Sequence, residues 1–192
     1  MNTKINDNIF VAFPNLETER LLLREFVKGD AEELFKIRSD ERVMKYFDRD
    51  PHKSVVESEL MIEKMIDTYS NKAGINWIII KKDSLSVIGY IDYWRLIREN
   101  LRAEVGYAMK PEYWGNGYMQ EALNKVIEFG FKKFCLHSIE GNVNPHNLNS
   151  IKLLEKFGFK REAYFKEDYF YNGKFLDTAI YSLLEKDIKN LN

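Results

Sequence analysis

A strand, a glycine-containing turn and an amphipathic helix follow one another without interruption between Ala103 and Leu123. From Met119 onward apolar side chains recur at the helical spacing, with polar side chains between them. Gly115 and Gly117 stand where the strand gives way to the helix. Such a turn directs several backbone N–H groups to one place, and the positive end of the helix dipole adds to them. The segment is suited to a phosphate or pyrophosphate.

Two better-known phosphate-binding loops do not fit this turn. A dinucleotide-binding fingerprint needs Gly or Ala at position 120, where the sequence has Gln120. A P-loop needs a Gly-Lys-Ser/Thr run, which the sequence lacks. Taken alone, two glycines at a helix start fit an ordinary tight turn equally well. Other parts of the sequence are needed to distinguish a phosphate-binding turn from an ordinary one.

Around this segment the sequence predicts further strands and helices without a linker or repeat between them. Period-2 patterns predict strands, and the last pair forms a hairpin turning at Asn172-Gly173. Helical periodicity predicts helices after Asp30 and Ser54 and over 147–157. We therefore expect an α/β (α+β) sandwich around one mixed sheet. The other predicted strands are 20–26, 77–82, 87–94, 102–110 and 136–143.

Length and composition narrow the class of protein. A chain of 192 residues predicts one domain over 1–192. The formal net charge of −1 gives no general attraction to nucleic acid or anionic lipid. One cysteine, Cys135, cannot form an intramolecular disulfide or a cysteine-rich zinc site, and we expect no metal. With no signal peptide or membrane-spanning run, we expect a cytoplasmic protein that binds neither nucleic acid nor membrane.

Several ordered blocks of the sequence resemble the GNAT acetyltransferases, in the branch that contains the ribosomal-protein N-terminal acetyltransferases of the RimJ/RimL type. The strongest block is Ala103–Leu123. The resemblance implies a single GNAT domain with its core at about 16–186 and a mostly antiparallel sheet of about six to seven strands flanked by helices. The other blocks are Leu16–Arg24, Arg38–Met44, Gly89–Tyr90, Asn147–Ser150 and Leu154–Phe159.

The resemblance also implies acetyl-coenzyme A as cosubstrate, held where two neighbouring strands separate. Backbone amides of the turn would hold the pyrophosphate, the strand before it would pair with the pantetheine arm and polarise the thioester carbonyl, and two asparagines would line the gap. One departure is Glu112, which stands where the general pattern has Gln or Arg, so that a side-chain cation is lost. The implied cofactor-binding residues are Tyr107, Ala108, Met109, Trp114, Gly115, Asn116, Gly117, Tyr118, Met119, Asn142 and Asn147.

Acetyl transfer to an amine needs a neutral nucleophile, a polarised thioester and a proton for the leaving thiolate. Glu104 is the candidate base, because strand alternation places it on one face with the small residues Gly106 and Ala108. The alternative is a solvent-facing strand glutamate. Ser150 matches the serine of the family's Asn-x-x-Ser motif and is the candidate acid; the alternative is a helix-start residue that bonds backbone.

The acceptor amine stays open at this stage. An α-amine with a pKa near 8 loses its proton at pH 7 for about 1.4 kcal/mol, against about 4.6 kcal/mol for a lysine amine. A protein N-terminus, such as that of a ribosomal protein, is therefore the first hypothesis. A small amine (a polyamine, an amino sugar or an antibiotic) is the second. A non-catalytic acyl-coenzyme A sensor is the third, and either a monomer or a homodimer is compatible with the sequence.

Overall fold

The computed structural model describes residues 4–190; the expected domain limits at residues 1 and 192 lie outside this range. The strands are β1 (Leu16–Glu17), β2 (Leu21–Glu25), β3 (Ile75–Lys81), β4 (Ser86–Ile97), β5 (Arg102–Met109), β6 (Ser138–Val143), β7 (Lys160–Tyr171) and β8 (Lys174–Leu184). The α-helices are α1 (Ala31–Arg38), α2 (Glu41–Met44), α3 (Val55–Ser70), α4 (Tyr118–Lys132) and α5 (Leu148–Lys156).

All eight strands form one sheet in the order β1-β2-β3-β4-β5-β6-β8-β7. Every neighbouring pair is antiparallel except β5 and β6, which run parallel. The expected mixed, mostly antiparallel sheet is confirmed. It has more strands than expected because the two residues of β1 also pair with β2.

Helices cover both faces of the sheet, and each face has its own apolar core. On one face α4 buries its apolar stripe, including Leu123 and Val126, against the central strands. On the other face α1 and α3 bury Leu34 and Ile62 against β3 and β4. Because successive side chains of a strand point to opposite faces, the even-numbered residues of β5 belong to the α1/α3 face and the odd-numbered ones to the α4 face.

The segment between α1 and α3 differs from the sequence-based prediction. It contains the short helix α2, which Asp40 caps through a side-chain bond to the Arg42 amide. A helix of four residues carries too few apolar positions to show a helical period in the sequence. Within residues 4–190, the helices are too short or too polar for any of them to cross a lipid bilayer.

Candidate active site

The central feature of the site is a gap between β5 and β6. The two strands pair only at Arg102–Ser138, Ala103–Ile139 and Glu104–Glu140. Beyond Glu104, β5 continues to Met109 against β4 alone, while β6 continues to Val143 against β8. In this described part of the sheet, one edge of β5 is therefore left without a neighbouring strand, and it offers main-chain hydrogen bonds to an extended ligand.

The turn between β5 and α4 contains two left-handed glycines, Gly115 (φ 76°) and Gly117 (φ 77°). Across residues 4–190 nothing accepts a hydrogen bond from the amides of residues 115–120, and the Glu121 amide is the first in α4 to be bonded, to the Gly117 carbonyl at 3.0 Å. The Trp114 amide donates to Pro111 O at 3.1 Å. The Trp114 amide, which the resemblance includes in the expected pyrophosphate-binding set, is thus already bonded within the chain. The unbonded amides and the helix dipole together form an anion site.

The side chain of Arg20, which lies 96 positions before Asn116 in the sequence, holds this turn in place. Arg20 donates to Glu121 at 2.6 Å and to the Asn116 carbonyl at 3.1 Å, and its guanidinium lies 4.4 Å from the centroid of the Tyr118 ring. Thr18 donates to the other oxygen of Glu121 at 2.5 Å. The guanidinium of Arg20 therefore lies beside the turn in which Glu112 provides no cation. Sequence reasoning missed this role, although Thr18 and Arg20 lie in the resembling block at residues 16–24.

Ser150 and Tyr107 meet at the gap. Their hydroxyl oxygens are 2.7 Å apart, so a proton can pass between them. Burial raises the pKa of Tyr107 to about 12, although the bond to Ser150 opposes the shift. Asn147 begins α5, where its side-chain oxygen accepts from the Ser150 amide at 3.2 Å. The alternative that the Ser150 hydroxyl caps the helix is therefore wrong, because Asn147 does so.

Glu104 lies at the base of the gap and is 7% exposed, so it is not a solvent-facing glutamate. Its Oε2 atom is buried and, among the described residues, lacks a hydrogen-bond partner. The nearest cation is Arg95, at 3.8 Å. Burial first, and then the charge of Glu140, raise the pKa of Glu104 to about 7, against opposing effects of Trp94, Arg95 and Arg102. A carboxylate that titrates near neutral pH is suited to take a proton from an amine.

A second carboxylate, Asp92 of β4, shares the face of Glu104 and was not predicted. It lies opposite Gly106 in the sheet register, and a Cβ at position 106 would be 2.7 Å from its Oδ1 atom. Burial above all, together with the charge of Glu104, raises the pKa of Asp92 to about 8, while a hydrogen bond from the Gly106 backbone opposes the shift. The sequence signal for it was a lone charge in the otherwise apolar run 87–94.

The remaining predicted residues are spread around the gap. Ala108 is buried toward α1 and α3, and Met109 toward α4. Asn116 is exposed and donates to the Trp114 carbonyl at 3.0 Å. Asn142 is an exposed residue of β6. The described residues include no group of three or more His, Cys, Asp and Glu side chains that could hold a metal ion.

Residues 20–160 match the family described as acetyltransferase (GNAT) domain. The chain is similar to the uncharacterised N-acetyltransferase YoaA of Bacillus subtilis, with 36% identity over 173 residues that cover 90% of this chain and 98% of the relative. It is also similar to a crystal structure of a GNAT-family acetyltransferase from Bacillus anthracis. That likeness has a TM-score of 0.81 and 28% identity, and covers 90% of this chain and 99% of the other.

Two further relatives carry names that specify different acceptors. The spermidine N(1)-acetyltransferase of Vibrio cholerae is 23% identical over 89% of this chain and 96% of its own length. The ribosomal protein uS5-alanine N-acetyltransferase of Escherichia coli is 30% identical over 55% of each chain. The comparisons therefore agree on acetyl transfer to nitrogen and differ in the acceptor.

Proposed function

Because the chain belongs to the acetyltransferase (GNAT) family and is an N-acetyltransferase, we propose that it moves an acetyl group from acetyl-coenzyme A to the α-amine of a polypeptide N-terminus. The observation that carries the proposal is the gap between β5 and β6, which opens beside the unbonded amides of residues 115–120. One extended ligand with a diphosphate at one end fits both features, and acetyl-coenzyme A has this chemistry.

The residues around the gap fit this cosubstrate. Nothing lies within 4 Å of a Cβ built at Gly115, so the amides of the turn are approachable. Arg20 adds a guanidinium beside them, with its Nη2 atom 3.6 Å from a Cβ built at Gly117. Tyr107, Ala108 and Met109 lie on the edge of β5 that has no partner strand in the described sheet. Asn142 and Asn147 lie on the opposite side of the gap, on β6 and at the start of α5.

Acetyl-coenzyme A supplies an activated thioester. The protein has to accept one proton from the amine and donate one to the leaving sulfur. An N–C bond forms and a C–S bond breaks, so the amine loses a proton and the sulfur gains one. We assign the first proton to Glu104, which has a buried unpartnered oxygen at the base of the gap. We assign the second to the Ser150 hydroxyl, which can be replenished from the Tyr107 hydroxyl 2.7 Å away.

The choice of an N-terminal acceptor follows from the cost of deprotonation. An α-amine with a pKa near 8 becomes neutral at pH 7 for about 1.4 kcal/mol, whereas an ordinary lysine or polyamine amine costs about 4.6 kcal/mol. The similarity to the uS5-alanine enzyme supports this acceptor. Acetylation of a polyamine is the second candidate. It is supported by the similarity to the spermidine enzyme and by two buried carboxyls, Asp92 and Glu104, whose pKa values of about 8 and about 7 let them attract a cation once they are ionised.

A peptide that carries both kinds of amine tests the proposal. We would incubate the protein with acetyl-coenzyme A and a peptide that begins with alanine and contains one internal lysine, measure the released thiol, and locate the acetyl group by mass spectrometry. Parallel reactions contain spermidine, or the same peptide with its N-terminus already blocked.

We expect acetylation of the α-amine, and no product from the blocked peptide. Ser150→Ala should lower turnover of the open peptide by at least about tenfold, since general acid catalysis contributes on the order of 100-fold or more. Product from spermidine alone would favour the second candidate. Binding of acetyl-coenzyme A without thiol release for any amine would favour a sensor and contradict catalysis.

A further inference from the structure

Three buried side-chain polar atoms have no hydrogen-bond partner within residues 4–190, and all three belong to charged residues. They are Arg38 Nε, Asp92 Oδ1 and Glu104 Oε2. The three residues are only 3%, 6% and 7% exposed, respectively. Leaving a buried polar group without a partner destabilises the folded chain, and more strongly when the group is charged. Such a group needs an explanation in terms of a ligand or an ordered water.

The three residues lie on the same face of the sheet. Asp92 lies opposite Gly106, and Glu104 is two residues from Gly106 on the same strand, so the two carboxylates are diagonal neighbours. Arg38 ends α1, which packs on this face, and it donates to the hydroxyl of Tyr90 at 3.2 Å. Since Tyr90 is two residues before Asp92, both point to the α1/α3 face. The three residues with unpartnered atoms therefore belong to α1, β4 and β5 on one face of the sheet, and Glu104 among them lies at the last residue pair before the gap.

Arg38 has few alternative partners in the described chain. Its guanidinium lies 5.0 Å from the centroid of the Phe47 ring, and its carbonyl accepts from the His52 amide at 3.0 Å. His52 itself is bonded to Ser58 at 2.8 Å. The positive charge of Arg38 reaches Asp92, since it lowers the pKa of that carboxyl against the larger effect of burial. No carboxylate, however, forms an ion pair with Arg38 in this part of the structure.

The chemistry of the three atoms specifies the ligand. An arginine Nε carries a hydrogen that must be donated to an acceptor. The oxygens of Asp92 and Glu104 only accept once both carboxyls are ionised, which their pKa values of about 8 and about 7 place above about pH 8. A ligand that satisfies all three needs an amine for Asp92 and Glu104 and an oxygen for Arg38. A protonated polyamine has donors only and would leave Arg38 Nε unpaired. An α-amino acyl group has both, with the carbonyl carbon bonded to the carbon that carries the amine.

We propose that Arg38 binds the carbonyl oxygen of the acceptor's first residue while Asp92 and Glu104 bind its amine, so that the acceptor is an α-amino carbonyl compound rather than an alkyl polyamine. This assignment rests on the proposed function, because it concerns the acceptor of the same reaction. It adds a binding residue, Arg38, for which the acetyl-transfer step itself has no need. It also explains why the Arg38 guanidinium is buried within electrostatic reach of Asp92 without forming an ion pair with it.

Matched acceptors separate this inference from the proposed function. We would measure kcat/KM by thiol release for three acceptors. They are alaninamide, isopropylamine, in which a methyl group replaces the carboxamide of alaninamide, and spermidine. Each acceptor is compared between the wild-type protein and Arg38→Met, so that differences in amine pKa cancel. Arg42→Met is the control, because it removes the same group from a side chain that is 67% exposed. Thermal unfolding and coenzyme A titration establish that each variant folds and binds the cosubstrate.

We expect Arg38→Met to lower kcat/KM for alaninamide by at least about tenfold, the usual effect of removing one hydrogen bond from a charged donor. The values for isopropylamine and spermidine should change by less than about twofold, and Arg42→Met should leave all three unchanged. If Arg38→Met does not fold, Arg38→Lys, which keeps the charge and a donor, should lose activity with alaninamide selectively and to a smaller degree.

Equal losses for all three acceptors would overturn the inference, and so would spermidine as the best acceptor with no effect of the substitution. Either result would leave acetyl transfer intact. If the wild-type protein binds no coenzyme A, or releases thiol with none of the amines, the proposed function fails and the inference with it.

Discussion

At the scale of single residues, the proposed role of Glu104 as base predicts how the reaction rate depends on pH. Burial and the charge of Glu140 raise the pKa of Glu104 to about 7. Below that pH the carboxyl is protonated and cannot accept a proton; above it the carboxylate is ionised and can. We therefore expect kcat/KM for an N-terminal peptide to increase as pH rises through about 7 and to level off above the titration of the amine, near pH 8.

Glu104→Gln should remove the increase in rate near pH 7 and leave only the increase caused by titration of the amine itself, near pH 8. The plateau should fall on the order of 100-fold, the lower end of what a positioned base contributes. Glu112→Gln, an equal change at an exposed position of the turn, should have the wild-type profile. A limb near pH 7 that persists in Glu104→Gln would contradict the assignment and direct attention to Asp92.

The residues of the site differ in how far the sequence predicts them. Glu104 and Ser150 were predicted from strand alternation and from a family motif, and both lie beside the gap. Asp92 was missed because its relation to Glu104 depends on the pairing register of β4 and β5, which shifts by a bulge between Tyr93 and Arg95. A bulge of this kind leaves no local sequence signal. Arg38 was missed because a charge at the end of a helix usually faces solvent.

At the scale of elements, the turn before α4 depends on glycine at position 117. Gly117 has φ 77°, a conformation that costs a residue with a side chain about 1–2 kcal/mol. Gly117→Ala has room for its methyl group but favours another backbone conformation, which would turn the amides away from the phosphates. We expect it to weaken coenzyme A binding about tenfold in a calorimetric titration, since 1.4 kcal/mol is a factor of ten.

Gly173→Ala is the matched control. Gly173 has the same φ of 77° in the turn between β7 and β8 and has nothing within 4 Å of a built Cβ. The Gly173→Ala protein should lose about as much folding stability as the Gly117→Ala protein and keep the wild-type affinity for coenzyme A. Equal affinities for the two variants would contradict the role of the turn.

Elements with a strong local signal were predicted well. α4 follows the helical period over its whole length, and the hairpin of β7 and β8 turns at the expected Asn172-Gly173. The short helix α2 was not predicted, because four residues show no helical period. The hydrogen bonds of Thr18 and Arg20 to Glu121 were not predicted either, because they join residues about 100 positions apart. Contacts at that distance are set by tertiary packing, which no local pattern reports.

At the scale of the whole molecule, the gap divides the sheet into two parts. Strands β1–β5 and strands β6–β8 are joined directly only by the three residue pairs between β5 and β6. The proposed donor site lies in that gap, and the proposed acceptor site lies on the α1/α3 face where the gap begins. This arrangement brings the two substrates to Glu104 from different directions, which is what a direct transfer between them requires.

Calorimetric titration of the protein with coenzyme A tests the central claim most directly, because the donor site, the catalytic assignment and the acceptor site all depend on the gap. We expect saturable binding of one coenzyme A per chain, weakened by Gly117→Ala and by Arg20→Ala, which removes the guanidinium beside the turn. No measurable heat or binding at millimolar coenzyme A, under conditions where the protein is folded, would contradict the account.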